Sequence, residues 1–259
     1  MINMIISFLK KWLNIKLGFT REQKVFLQNE IDEKNKLLEI FFSNLKKMGF
    51  NPKHIIDVGA NRGTWTRETM RYFPESYYTL IEPQHWLSCF FNDILESNSK
   101  VNYIPTGAGS KSGSFLFTIL DRDDSCSFRY TKEEASAAGY KQHEIQIKTL
   151  NEIVYNSRDL PFPDLIKIDA EGLDIDVLDG ATDLFGKTEI FLVEASVFNK
   201  GFKNDFLTVT DYMDKKGYKL FEITDMNRPF THKVLWLVEL VFIRKNGYID
   251  SFSIDTNNL

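Results

Sequence analysis

Three observations on this 259-residue chain predict an α/β fold: a doubly wound, mostly parallel seven-stranded sheet with an N-terminal helical appendage. From residue 53 onward, short apolar runs alternate with amphipathic helical stretches, the pattern of repeated strand–helix–strand units. Glycines and carboxylates gather just after those runs, where open α/β sheets bind their ligands. The first 49 residues carry helical spacing and no strand signal.

Composition narrows the class. With 43% hydrophobic and 26% charged residues the chain is an ordinary folded domain, which excludes disordered, collagen-like and coiled-coil readings. Its net charge of −4 gives no broad electrostatic grip on nucleic acid, so no nucleic-acid partner is expected. Two cysteines, Cys89 and Cys126, exclude a disulfide framework and a structural zinc site and fit a reducing, cytoplasmic compartment.

The N-terminus is not built like a secretory signal, because its short apolar part precedes Lys10 and Lys11. Met4, Ile5, Phe8, Leu9, Trp12 and Leu13 recur every three to four residues and form one helical stripe, flanked by Lys10, Lys11 and Lys16. Two fates are open to residues 4–17. They dock on protein, on this chain or on a second copy in a homo-oligomer, or they lie peripherally on the inner face of a membrane. A second helix is expected to start at Thr20, whose T-x-x-Q spacing with Gln23 is that of a capping box, and to end at Gly49. The appendage is set at 1–49 and the main domain at 50–259.

Within the main domain, strands are predicted at His54–Val58, Tyr77–Ile81, Val101–Ile104, Asp164–Ile168, Glu189–Val193, Tyr218–Ile223 and Leu237–Arg244. Helices are expected at Gly63–Phe73, Gln84–Glu96, Leu173–Asp179 and Phe206–Lys216. An insertion over about 105–148 breaks the rhythm, with strands at Ser114–Leu120 and Glu144–Lys148 around a polar, flexible run, Asp121–Gly139. Asp121–Asp124 reads as a charged turn, and Ser125–Tyr130 with the run 131–139 has the character of a lid.

The chemistry-bearing residues follow the strand ends. After the first strand comes Asp57-Val58-Gly59-Ala60-Asn61-Arg62-Gly63, whose glycines permit a tight turn but lack the G-x-G-x-x-G spacing that cradles a pyrophosphate. Glu82 ends the second strand 23 residues after Gly59, where a carboxylate can accept both hydroxyls of a ribose. An acid at Asp57 suits a cofactor with a cationic end better than a dinucleotide. Gly107 and Ala108, after the third strand, leave room for a flat base. Asp169 and Glu171 end the fourth strand in K-I-D-A-E-G, and Glu194 ends the fifth.

The segments IIDVGANRGTWT, LIEP and DLIKIDAEGLDIDVLDGA, in that order, resemble the FkbM-type methyltransferases from about residue 53 to 245. The resemblance implies a Rossmann-like methyltransferase fold with a reversed final strand and S-adenosylmethionine as cofactor. It implies Asp57, Gly59, Asn61 and Gly63 as cofactor-loop residues and Glu82 as the ribose ligand. Ala170 and Asp174 depart from the commoner residues of the family. The expected activity is O-methylation of a hydroxyl on a sugar, glycan or glycolipid intermediate. A base is then needed, and Asp169, Glu171 and His143 are the candidates. A variant in which Asp169, Glu171 and Glu194 hold Mg²⁺ is less favoured, and no metal site is assigned. The alternatives are a nicotinamide-dependent oxidoreductase and a non-enzymatic adaptor for a membrane or protein partner.

Overall fold

A computed structural model of the chain describes residues 36–121, 123–198, 203–229 and 231–252. The chain divides into two compact units at Ile40/Phe41. The N-terminal stripe at residues 4–17 and the capping box expected at Thr20 lie outside the described residues. Helix α1 spans Leu37–Lys47. Gly49 follows it with φ +77, the left-handed conformation that ends helices.

The main sheet has seven strands: β1 (His54–Val58), β2 (Tyr77–Ile81), β3 (Val101–Ile104), β7 (Leu165–Ile168), β8 (Ile190–Ser196), β9 (Tyr218–Asn227) and β10 (Leu237–Arg244). Their order is β3-β2-β1-β7-β8-β10-β9. Pairing is parallel from β3 through to β8, while β10 runs antiparallel to both of its neighbours. The reversed final strand is therefore present, and the sheet order turns between β1 and β7, where a doubly wound sheet opens its ligand crevice.

Period-two alternation divides the core. Ile56, Val58, Ile166, Ile168, Phe191 and Val193 turn to one face. There they pack with Leu150 and Ile153 of α5 (Leu150–Asn156), Val177 and Leu178 of α6 (Asp174–Asp179), and Val209 and Met213 of α7 (Phe206–Lys215). On α1, Phe42 lies edge-on to Trp65 of α2 (Thr64–Tyr72) and to Phe73, with ring centroids 5.8 Å apart in each case. Much of the aromatic content is spent in this way on packing.

The insertion forms its own three-stranded sheet, in the order β4-β6-β5 (β4, Gly107–Ala108; β5, Gly113–Ile119; β6, Lys141–Lys148). Three local expectations are corrected. The run 121–139 contains a helix, α4 (Lys132–Ala137), capped by a reciprocal Thr131–Glu134 box. Helix α5 was not anticipated; Thr149 caps it by accepting from Glu152 N. The stretch after β2 is a 3₁₀ segment, His85–Phe91, which buries Leu87 and Phe91 and is followed by short helix α3 (Asn92–Ser97).

Candidate functional site

At the carboxyl ends of β1, β2 and β7 lies a cavity of about 620 Å³, its open mouth included. Gly59, Asn61, Glu82, Asp169 and Glu171 line it from the main sheet, and Gly107 and Ala108 from the start of the insertion. The far wall comes from the insertion: Phe117, Cys126, Ser127 and Phe128. Of the segment 125–139, expected as a lid, Cys126, Ser127 and Phe128 line the cavity, and α4 follows as ordered structure.

Glu82 is 3% exposed and anchors two backbone turns. Its Oε2 accepts from Asn61 N at 2.7 Å and its Oε1 from Gln84 N at 2.9 Å. Burial pushes its carboxyl above the usual range, opposed by those same N–H donors. The carboxylate lines the cavity, and its two oxygens carry more lone pairs than these two N–H groups fill, the acceptor set that two vicinal hydroxyls require.

Asp57 is not at the mouth. It is 1% exposed, with Oδ2 accepting from Thr66 Oγ1 at 2.5 Å. The parallel register sets Asp57 beside Lys167, and the lysine Nζ lies 3.4 Å from Asp57 Oδ1 and 3.2 Å from Asp169 Oδ2. Nζ also donates to the carbonyl of Gly59 at 3.2 Å. Burial works against the lysine charge, but Asp169, then Asp57 and Glu239, outweigh it and raise its pKa. Lys167, which the sequence analysis did not single out, is the electrostatic hub of the site. A cation in the middle of an otherwise apolar four-residue strand, LIKI, was the available signal.

Gly59 turns with φ +74, and a Cβ there would stand 1.9 Å from the carbonyl oxygen of Asp169. Only glycine allows the turns after β1 and β7 to approach this closely. The turn after β7 has its own brace. Asp174 Oδ1 accepts from Ala170 N at 2.9 Å, and Oδ2 from Gly172 N at 3.2 Å and Asn204 Nδ2 at 2.6 Å. These bonds hold Glu171 at a left-handed φ of +52. Glu194 lies beyond, its carboxyl pushed well above the usual range by burial and then by Asp169, Asp174 and Glu171.

Gly63 is left-handed at φ +74 and serves as the N-cap of α2, away from the cavity lining. His143 sits within β6, opposite Phe117, rather than before a strand. It is exposed, and its ring packs 5.5 Å from Trp86 outside the cavity lining. Arg62, in the first loop, forms an ion pair at 2.7 Å with Asp123 of the insertion. Among the described residues no three His, Cys, Asp or Glu side chains gather as ligands to a metal ion.

A family model described as "Methyltransferase FkbM domain" matches residues 57–220. "Methyltransferase 1" of Beauveria bassiana (strain ARSEF 2860) is 25% identical over 184 residues, covering 63% of this chain and 71% of that protein. Among solved structures, precorrin-6y C5,15-methyltransferase of Geobacter metallireducens aligns with a TM-score of 0.41 at 12% identity, over 75% of this chain and 81% of the other. The 1,6-didemethyltoxoflavin-N1-methyltransferase of Burkholderia thailandensis, solved with 1,6-didemethyltoxoflavin and S-adenosylhomocysteine, aligns with a TM-score of 0.44 at 9% identity, over 88% and 92%.

Proposed function

The chain belongs to the FkbM methyltransferase family and is an S-adenosylmethionine-dependent methyltransferase; from that premise we propose that it methylates a hydroxyl of a sugar, glycan or glycolipid intermediate. One observation carries the reading: Asp169 and Glu171 line the same cavity as the Gly59–Asn61 turn and Glu82. A ribose acceptor and two further carboxylates therefore share one chamber, and carboxylates are the side chains best suited to accept from the hydroxyls of a polyol.

The residues present fit the cofactor. Glu82 offers the two acceptor oxygens for ribose, Ala108 adds no more than a methyl group to the wall, and the buried Oε1 of Gln84 has no hydrogen-bond partner among the described residues. When bound, the cofactor supplies an electrophilic methyl group on a cationic sulfur. Gly59 and Asn61 present the loop against which its amino-acid end would lie. Asp57 acts from behind that loop by fixing Lys167. Asp169 and Glu171 hold the acceptor hydroxyl and take its proton, while Phe117 and Phe128 exclude water. His143 enters this scheme only if the acceptor extends toward Trp86.

Fractionated cell-envelope glycans and glycolipids, incubated with methyl-labelled S-adenosylmethionine, test the reading. Label is expected in an alkali-stable ether on a sugar, and Asp169→Asn is expected to abolish it with cofactor binding retained. Label found only in protein or on nitrogen would overturn the proposal.

A further inference from the structure

Gln84 is 3% exposed and lies where two cavities meet. It lines the chamber described above and also a second hollow bounded by Arg62, Trp86, Leu120, Asp121 and Asp123. Its backbone N–H donates to Glu82 Oε1 at 2.9 Å, and its side-chain Nε2 donates to the carbonyl of Asp123 at 2.8 Å. A carbonyl can only accept, so the second bond fixes which end of the amide is nitrogen. The Oε1 is left buried without a hydrogen-bond partner among the described residues. An orphaned carbonyl of this kind carries an uncompensated desolvation cost unless something donates to it.

Neighbouring polar groups on this side of the chamber are already engaged. Thr106 Oγ1 donates to the carbonyl of Gln146 at 2.6 Å. Ser127 Oγ accepts from Arg129 at 3.2 Å and donates to the carbonyl of Glu171 at 3.5 Å. Glu82 is committed to two backbone donors and, on the cofactor reading, to ribose. Gln84 follows two residues later and lines the same chamber, so its amide stands beside the ribose position, with Ala108 and the Phe128 ring also on the chamber wall.

We propose that Gln84 is a specificity-determining residue that reads the exocyclic amine of adenine: its Oε1 accepts from the amine N–H, while its Nε2 stays on Asp123. The amide then ties three things together, the base, the ribose-binding turn through Glu82, and the insertion through Asp123. A 6-oxo base would set a carbonyl against the Oε1, and the site would reject it. This inference rests on the S-adenosylmethionine reading of the chamber.

Calorimetry with S-adenosylhomocysteine and S-inosylhomocysteine tests it without any methyl acceptor. The full chain is expected to prefer the adenosyl compound by about tenfold or more. In Gln84→Met, similar in length but with no strong acceptor, the preference is expected to fall to within about twofold, mostly through weaker binding of the adenosyl compound. Equal binding of both compounds by the unaltered protein, or an undiminished preference in a folded Gln84→Met, overturns the proposal while leaving the cofactor reading intact. Failure of the unaltered protein to bind S-adenosylhomocysteine at all would sink both.

Discussion

Lys167 Nζ stands 3.4 Å from Asp57 Oδ1, a contact between two side chains that are 5% and 0% exposed and lie side by side in the β1–β7 register. The same nitrogen reaches Gly59 O and Asp169, so one buried cation joins the turn after β1 to the turn after β7. The site is assembled by this contact rather than by either loop alone.

Removing the cation should therefore destabilise more than removing the pair. Lys167→Met is expected to lower unfolding free energy by about 3–5 kcal/mol in urea denaturation, because Asp57 is left buried and uncompensated. Asp57→Asn combined with Lys167→Met should recover at least half of that loss. A double variant as unstable as the single one would show that packing, not charge, is at stake.

Gly59→Ala probes the close approach of the two turns. The left-handed φ alone costs about 1–2 kcal/mol, and the 1.9 Å contact with backbone cannot be relieved by a side-chain rotation. A loss of about 3 kcal/mol or more is expected, which for a domain of this size is a fall of roughly 6–12 °C in melting temperature. S-adenosylhomocysteine should no longer raise the melting temperature of the variant.

Glu82→Ala removes the acceptor for ribose and the anchor of two turns. Affinity for S-adenosylhomocysteine is expected to fall by about a hundredfold, the effect of losing two hydrogen bonds to a charged group. Binding within threefold of the unaltered protein would show that the ribose lies elsewhere.

Glu82 also sets a pH dependence. Its carboxyl is raised above the ordinary value of 4.5, first by burial. The ionised form is the better acceptor, so it binds above its folded-state pKa and weakens as pH falls through it. Calorimetric affinity for S-adenosylhomocysteine should decline on acidification at a midpoint above 4.5, and Glu82→Gln should flatten that limb. In the cofactor-free protein the sign reverses. A raised carboxylate disfavours folding as pH climbs from its unfolded-state value through its folded-state one.

Most of the architecture was legible because strand and helix periodicities differ and this chain keeps them distinct. The final strand is read to the residue, Leu237–Arg244, since its apolar run is bounded by charge and glycine. Of the helices that escaped notice, α4 carries few apolar residues to mark a face, and α5 marks one with Leu150, Ile153 and Val154 over only seven residues; each has the T-x-x-E signature, at Thr131 and Thr149. In the site, Glu82, Asp169 and Glu171 were visible as acids at strand ends. Asp57 had the same appearance and a different fate, because a strand-end acid can turn either to the crevice or into the layer beneath it. Gln84 carried no signal, since nothing in a glutamine announces which of its amide atoms will lack a partner.

The sequence by itself determined the strand–helix alternation, the family and the chemical character of the strand ends, all read from local segments, and it implied the reversed last strand only through the family resemblance. Tertiary structure alone decided that Lys167 neutralises Asp57, that the insertion closes the chamber with Phe117 and Phe128, that His143 stays outside it, and that Gln84 is held by Asp123. These depend on which strands pair and in what register. Side chains more than a hundred positions apart, as Asp57 and Lys167 are, meet only when the whole sheet forms.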